Sequence, residues 1–75
     1  MQTIDVVINL SYEVCLAHYE GRIAQVYTYS LDGRRVVFPA EALRHVMTHD
    51  GVYGTYRLKF SEQGRFISIH PITIG

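Results

Sequence analysis

Ile4, Val6, Ile8 and Leu10 alternate with Asp5, Val7 and Asn9 near the start of the chain, the period-two pattern of a strand with one buried face. The period then changes. Tyr12, Cys15, Leu16 and Tyr19 follow at i, i+3, i+4 and i+7, which places them on one side of a helix, with Ser11 as its N-cap, Glu13 in its first turn and Gly21 as its left-handed stop. A helix of about two or three turns is marginal alone in water, so its stability has to come from docking that side on a sheet.

A second strand is predicted from Arg22 to Ser30, returning through Asp32-Gly33, the strongest hairpin signal in the chain. Two registers compete. A two-residue turn sets Tyr27 against Phe38 and Tyr29 against Val36, whereas a three-residue turn over Leu31-Asp32-Gly33, with Gly33 left-handed, sets Val26 against Phe38 and Thr28 against Val36. The second is preferred, because it gathers Ala24, Val26, Val36 and Phe38 on one face and leaves Gln25, Tyr27, Tyr29, Arg35 and Val37 on the other.

Pro39 cannot donate to a ladder, so the third strand ends there, and Ala40 to Met47 is predicted as a short helix, partly three-ten, that turns Leu43, Val46 and Met47 inward. Thr48-His49-Asp50-Gly51 breaks the chain again. Val52, Gly54, Tyr56, Leu58 and Phe60 then alternate with Tyr53, Thr55, Arg57 and Lys59 as a long strand, in which Gly54 signals a bend, a bulge or a close backbone approach. After the Ser61-Glu62-Gln63-Gly64 turn, Phe66 to His70 forms the last strand. An even-numbered loop sets Ile67 and Ile69 against Phe60 and Leu58, and puts Phe66, Ser68 and His70 on one face with Arg57 and Lys59. The order β-α-β-β-α-β-β is α+β: a curved, mostly antiparallel five-stranded sheet or small open barrel packed by one helix. The alternative is a ferredoxin-like βαββαβ unit with an extra strand, for which both helices are short.

With 75 residues the chain forms one small α+β domain, spanning 1–75, whose core alone supplies only about 3–5 kcal/mol. Cys15 has no partner for a disulfide, which makes oligomerisation the expected staple and fits a reducing, cytoplasmic setting. MQTIDVVINL lacks a basic region and carries acidic and amide residues, so neither a signal peptide nor a membrane span is expected. Net charge is zero with histidines neutral, which removes the global signature of a non-specific nucleic-acid binder and leaves only local patches to consider.

The run Ser30-x-Asp32-Gly33-Arg34-x-Val36-x-Phe38-Pro39-Ala40, followed by Leu43-Arg44 and Thr48-His49-Asp50-Gly51-x-x-Gly54, resembles a family of roughly seventy-residue bacterial proteins classed only as a domain of unknown function, DUF2835. Gly21-Arg22 and Leu58-x-Phe60 are also similar to that pattern, and the resemblance spans nearly the whole chain. It implies a free-standing bacterial protein. It brings no activity and no functional residue.

Candidate chemistry is sparse. His45 and His49 stand four apart, with Asp50 following, as some metal ligands do, but zinc needs three or four ligands, no cysteine lies near, and His18 would have to arrive from the other helix; a helix C-terminus explains the pair without a metal. Cys15 and His18 lack an orienting third group and an oxyanion donor, and Cys15 belongs to the core. Gly51-x-x-Gly54 opens a strand without a lysine, so it is no phosphate loop. No enzyme, metal or cofactor is therefore expected. Arg57, Lys59, Arg65, Phe66 and His70 would combine cations with stacking surface on the last hairpin, the makings of weak single-strand nucleic-acid binding. The preferred expectation is a non-enzymatic interaction module, a homodimer or a docking protein. Six tyrosines and three phenylalanines exceed what so small a core can hide, and tyrosine suits interfaces. The expected patch is Tyr27, Tyr29, Arg35, Val37 and Tyr53.

Overall fold

The computed structural model describes residues 1–20 and 24–73. The expectations for the Tyr19 side chain, for Gly21 as helix stop and for a strand beginning at Arg22 lie outside the described residues. Strand β1 spans Gln2–Ser11 and buries Val6 and Ile8, with Ile4 and Leu10 half-buried, as the alternation requires. Helix α1, Tyr12–Tyr19, starts where the Ser11 hydroxyl accepts the Val14 N–H at 3.3 Å, so one of the unsatisfied first-turn amides is capped. Cys15 is its only fully buried residue among those described, and Tyr12, the first helical residue, stays exposed instead of docking.

Strands β2 (Gln25–Tyr29) and β3 (Arg35–Pro39) pair antiparallel with Val26 opposite Phe38 and Thr28 opposite Val36, the register of the three-residue turn. Gly33 takes φ +85°, the left-handed conformation this turn needs and one that side-chain-bearing residues rarely adopt. Ser30 organises it: its N–H donates to the Arg34 carbonyl at 2.8 Å, its hydroxyl accepts the Arg34 N–H at 2.9 Å and donates to the Asp32 carboxylate. Val26, Val36 and Phe38 point inward, but Ala24, expected beside them, is exposed because it precedes β2.

Pro39 remains extended and hands over to a three-ten helix, Ala40–His45, so the short helix expected over Ala40 to Met47 is three-ten throughout and ends two residues sooner. The reason is the spacing of what must be buried. Ala40, Ala42 and Leu43 are buried and Val46, just past the helix, packs against the core; Ala40, Leu43 and Val46 stand three apart, the spacing that a three-ten turn aligns on one side, and the small Ala42 fits beside them. Thr48 and Gly51 then exchange backbone hydrogen bonds of 3.0 Å around His49-Asp50, and the chain enters β4.

Strand β4, Gly51–Phe60, pairs along its whole length with β1 and, on its other side, with β5, Phe66–Ile72. The strands make two sheets, β1-β4-β5 and β2-β3, which corrects the expectation of one five-stranded sheet or small open barrel. The seam is a single bridge, Val6 to Ser30, helped by the Leu31 N–H to the Asp5 carbonyl at 3.0 Å and the Thr28 hydroxyl to the Val7 carbonyl at 2.9 Å. β2 leaves β1 beyond that point, so no ladder propagates. Every ladder among the described strands is antiparallel, so the parallel pair that a ferredoxin-like unit requires is missing and that alternative also fails. Side chains close the structure: Phe38 stacks on Phe66 at 6.1 Å between ring centroids, and Phe66 meets Phe60 edge-on at 6.0 Å. Gly54 has φ +131° with nothing within 4 Å of a Cβ added there, so the close backbone approach expected as one reason for this glycine is not present, and the backbone conformation is what favours it.

Candidate interaction surface

The pleat sends alternate residues outward, and on the hairpin these are Tyr27, opposite Val37, and Tyr29, opposite Arg35. Tyr27 is 68% and Tyr29 61% exposed, and Val37 and Arg35 are exposed as well. Tyr53 is 56% exposed on β4, opposite Asn9 of β1. What joins the two sheets' outer faces is Val7. Val6 and Ser30, the bridge partners, are both buried, so the next residues outward, Val7 and Tyr29, present to solvent on either side of the seam. Val7 is exposed, and it also stands opposite Thr55, two residues from Tyr53. The five expected residues thus lie on outward faces that meet at the seam. Val7, which sequence reasoning missed, had one signal: an apolar residue at a polar phase of the first strand. Leu31 at the hairpin tip is likewise exposed.

Tyr27 donates a hydrogen bond to the Gln25 side chain at 3.3 Å, which holds its ring along β2. The face is weakly charged. Arg34 is engaged by Asp32 at 3.0 Å, while Arg35 has no ion-pair partner among the described residues.

The second expected site comes apart. A register shift at Lys59/Phe60 makes Phe60 face Phe66, so the bulge turns Phe66 toward Phe38 and the core, away from Arg57 and Lys59. Ser68 and His70 do pair with Lys59 and Arg57 as the alternation predicts, and Leu58 with Ile69. Ile67, expected opposite Phe60, is instead the extra residue of the bulge. Arg65 is exposed in the preceding turn. Arg57 is not a free cation, because its guanidinium grips the Asp5 carboxylate at 2.8 and 3.1 Å, the bidentate geometry that makes such pairs strong.

That grip sets an acid sensitivity. The Arg57 hydrogen bond, outweighing a smaller desolvation effect and aided by the Arg57 charge, holds the Asp5 carboxyl below its usual range. A carboxyl depressed in the folded state contributes stability that is present above its unfolded value and is lost as pH falls through its folded value. Asp5→Asn is therefore expected to make the decline of melting temperature shallower in the acid range below ordinary carboxylate titration. Asp32, held down by Ser30 and then Arg34, keeps the decline from vanishing. An Asp5→Asn curve parallel to the wild type there would show that the pair contributes nothing to acid stability.

Among the described residues no three or more His, Cys, Asp or Glu side chains cluster as metal ligands would. His49 leans toward Asp50 at 3.7 Å in the turn before β4, and His18 is turned onto its own helix, 2.8 Å from the Val14 carbonyl. Cys15 is fully buried with its sulfur 3.9 Å from the Leu10 carbonyl, and burial pushes its thiol up from the ordinary value, the opposite of an activated nucleophile. No described helix is long and apolar enough to cross a membrane. The family model described as "Protein of unknown function (DUF2835)" matches residues 2–72. No curated protein and no solved structure matches the chain.

Proposed function

The chain belongs to the DUF2835 family, and we propose that it is a non-enzymatic protein-interaction module that docks a partner protein or a second copy through its tyrosine-rich outer face. The observation that supports this reading is the exposure of Tyr27, Tyr29 and Tyr53 on outward faces joined by Val7. Three aromatic side chains of about 150–250 Å² each, more than half uncovered, together leave in water an area comparable to the largest patch of a typical monomer, a size often tied to function. Tyrosine lowers the cost of that exposure with its hydroxyl and releases apolar area when covered. The single buried thiol fits a cytoplasmic setting.

Nucleic-acid binding through the last hairpin is not proposed, since its stacking residue, Phe66, faces the core and Arg57 is neutralised by Asp5.

The test is a paired capture with purified wild type and a Tyr27→Ser/Tyr29→Ser double variant as immobilised baits. Both side chains are exposed, so the variant should melt within a few degrees of wild type. Interface aromatics cost about 2 kcal/mol or more on truncation, and a bound partner should be depleted at least about tenfold on the variant. Equal recovery on both baits, or no saturable partner on either, rejects the reading.

A further inference from the structure

The charges on the outer face are few, but those left unpaired share one sign. Across the strands, Arg35 stands opposite Tyr29, Tyr29 lies over the seam from Val7, and Val7 stands opposite Thr55. Four residues further along β4 comes Lys59, with the uncharged Thr3 opposite it on β1 and Ser68 on β5. Among the described residues, the acids of this surface are Asp5 and Asp32, and arginines hold both: Arg57 grips the first and Arg34 the second. Arg35 and Lys59 have no ion-pair partner among the described residues. The other five acids of the chain lie on α1 and its cap (Glu13, Glu20), on the three-ten helix (Glu41) and in the turns before and after β4 (Asp50, Glu62). A chain with no net charge is thus polarised, with surplus positive charge beside its exposed tyrosines.

We propose, resting on the docking role above, that this face takes an acidic segment of another protein: its carboxylates meet Arg35 and Lys59, and its apolar side chains cover Tyr27, Tyr29 and Val7. Charge selects this occupant over a second copy. A two-fold contact sets a surface against itself, so the unpaired cations of one copy would lie over those of its mate with no free carboxylate between them, an arrangement that suppresses association. A single-stranded nucleic acid is also negative and can stack on aromatic rings. It needs a continuous basic groove along its backbone, whereas here two separate cations stand on β3 and β4, with Asp5 on the strand β1 between the sheets. Spaced carboxylates on a polypeptide fit such a spacing. The surplus also steers an acidic partner to this side during encounter, which makes the association sensitive to salt.

The probe is a fluorescent random copolymer of glutamate and tyrosine, followed by anisotropy. Wild type should bind it saturably at about 20 mM salt and at least about tenfold more weakly at about 300 mM. Arg35→Glu, at an exposed position, should weaken binding at least about tenfold at low salt, as should Tyr27→Ser/Tyr29→Ser. Arg44→Glu is the control: it changes net charge equally at an exposed position on the three-ten helix, outside the face, and should leave affinity within about twofold. Lys59→Gln carries the test if Arg35→Glu does not fold. No saturable binding, or equal losses for Arg35→Glu and Arg44→Glu, overturns the proposal. Tighter binding of mixed-sequence single-stranded DNA than of the copolymer also overturns it, as does a dimer in light scattering that Tyr27→Ser/Tyr29→Ser abolishes. Copolymer binding that depends on Arg35 but not on the two tyrosines overturns both this proposal and the docking role. A captured protein that Tyr27→Ser/Tyr29→Ser depletes and Arg35→Glu does not overturns this proposal alone, and leaves the tyrosine face as a docking surface for a partner that is not acidic.

Discussion

Gly51→Ala is expected to leave little or no folded protein at room temperature. Gly51 opens β4 at φ +114°, and a Cβ there would sit within the van der Waals envelope of the Leu10 carbonyl oxygen, 2.8 Å from the Ser11 carbonyl carbon and 2.9 Å from the Tyr12 amide nitrogen. All three are backbone atoms at the junction of β1 and α1, so no side-chain rotation relieves the overlap. The strain of a side chain in that conformation adds about 1–3 kcal/mol, and separating the strand from the junction costs more. The combined loss should exceed about 4 kcal/mol, comparable to the whole stability of a small domain. Gly54→Ala is the comparison: its φ of +131° is also unfavourable, but open space surrounds the added methyl, so only the conformational part is lost. Urea unfolding of both should show Gly54→Ala as a shifted but cooperative transition and Gly51→Ala as nearly none. Equal effects would mean that the close approach at Gly51 is relieved cheaply.

Phe38→Ala should be the most damaging truncation of a side chain. Phe38 is 1% exposed, reaches across the gap between the two sheets to stack on Phe66, and stands opposite buried Val26. Few other contacts tie the hairpin to β5, so neighbours cannot collapse into the space without moving a strand. Core Phe→Ala changes cost about 3–5 kcal/mol, and in a domain of this size that lowers the melting temperature by roughly 15 °C or more. A loss under about 1.5 kcal/mol would show that Phe60 and Phe66 refill the site.

The elements legible in the sequence were those fixed by local chemistry. Ser11 as cap, Gly33 as the turn residue and Pro39 as a strand end act within a few residues, and the hydrophobic alternation then decides the hairpin register once the turn length is chosen. What the sequence did not reveal depends on distant geometry. The split into two sheets arises because β2 meets β1 only at the Val6–Ser30 bridge just past its own end, and no local residue announces that divergence. The bulge at Lys59/Phe60 is similar: Phe66 and Ile67 exchange roles because of one extra residue that an even-loop register does not contain. The candidate surface followed the same rule. Tyr27, Tyr29, Arg35 and Val37 were assigned to one face because the hairpin is local, whereas Val7's place beside them depends on a bridge between residues 6 and 30.

The pairing of β1 with β4 sets the order in which the chain can be completed. Gln2 lies opposite Phe60 and Ser11 opposite Gly51, so β1 leaves the ribosome about fifty residues before its mate is complete. Both hairpins, β2-β3 and β4-β5, are local and can form early, but β1 has to wait for residues 51–60. At synthesis rates of about 5–20 residues per second the nascent chain carries Ile4, Val6, Ile8 and Leu10 unpaired for several seconds. Asp5, in the middle of that run and later held by Arg57, keeps a charge on the strand during the interval. The residue that tunes the folded protein's response to acid thus also guards its most exposed moment.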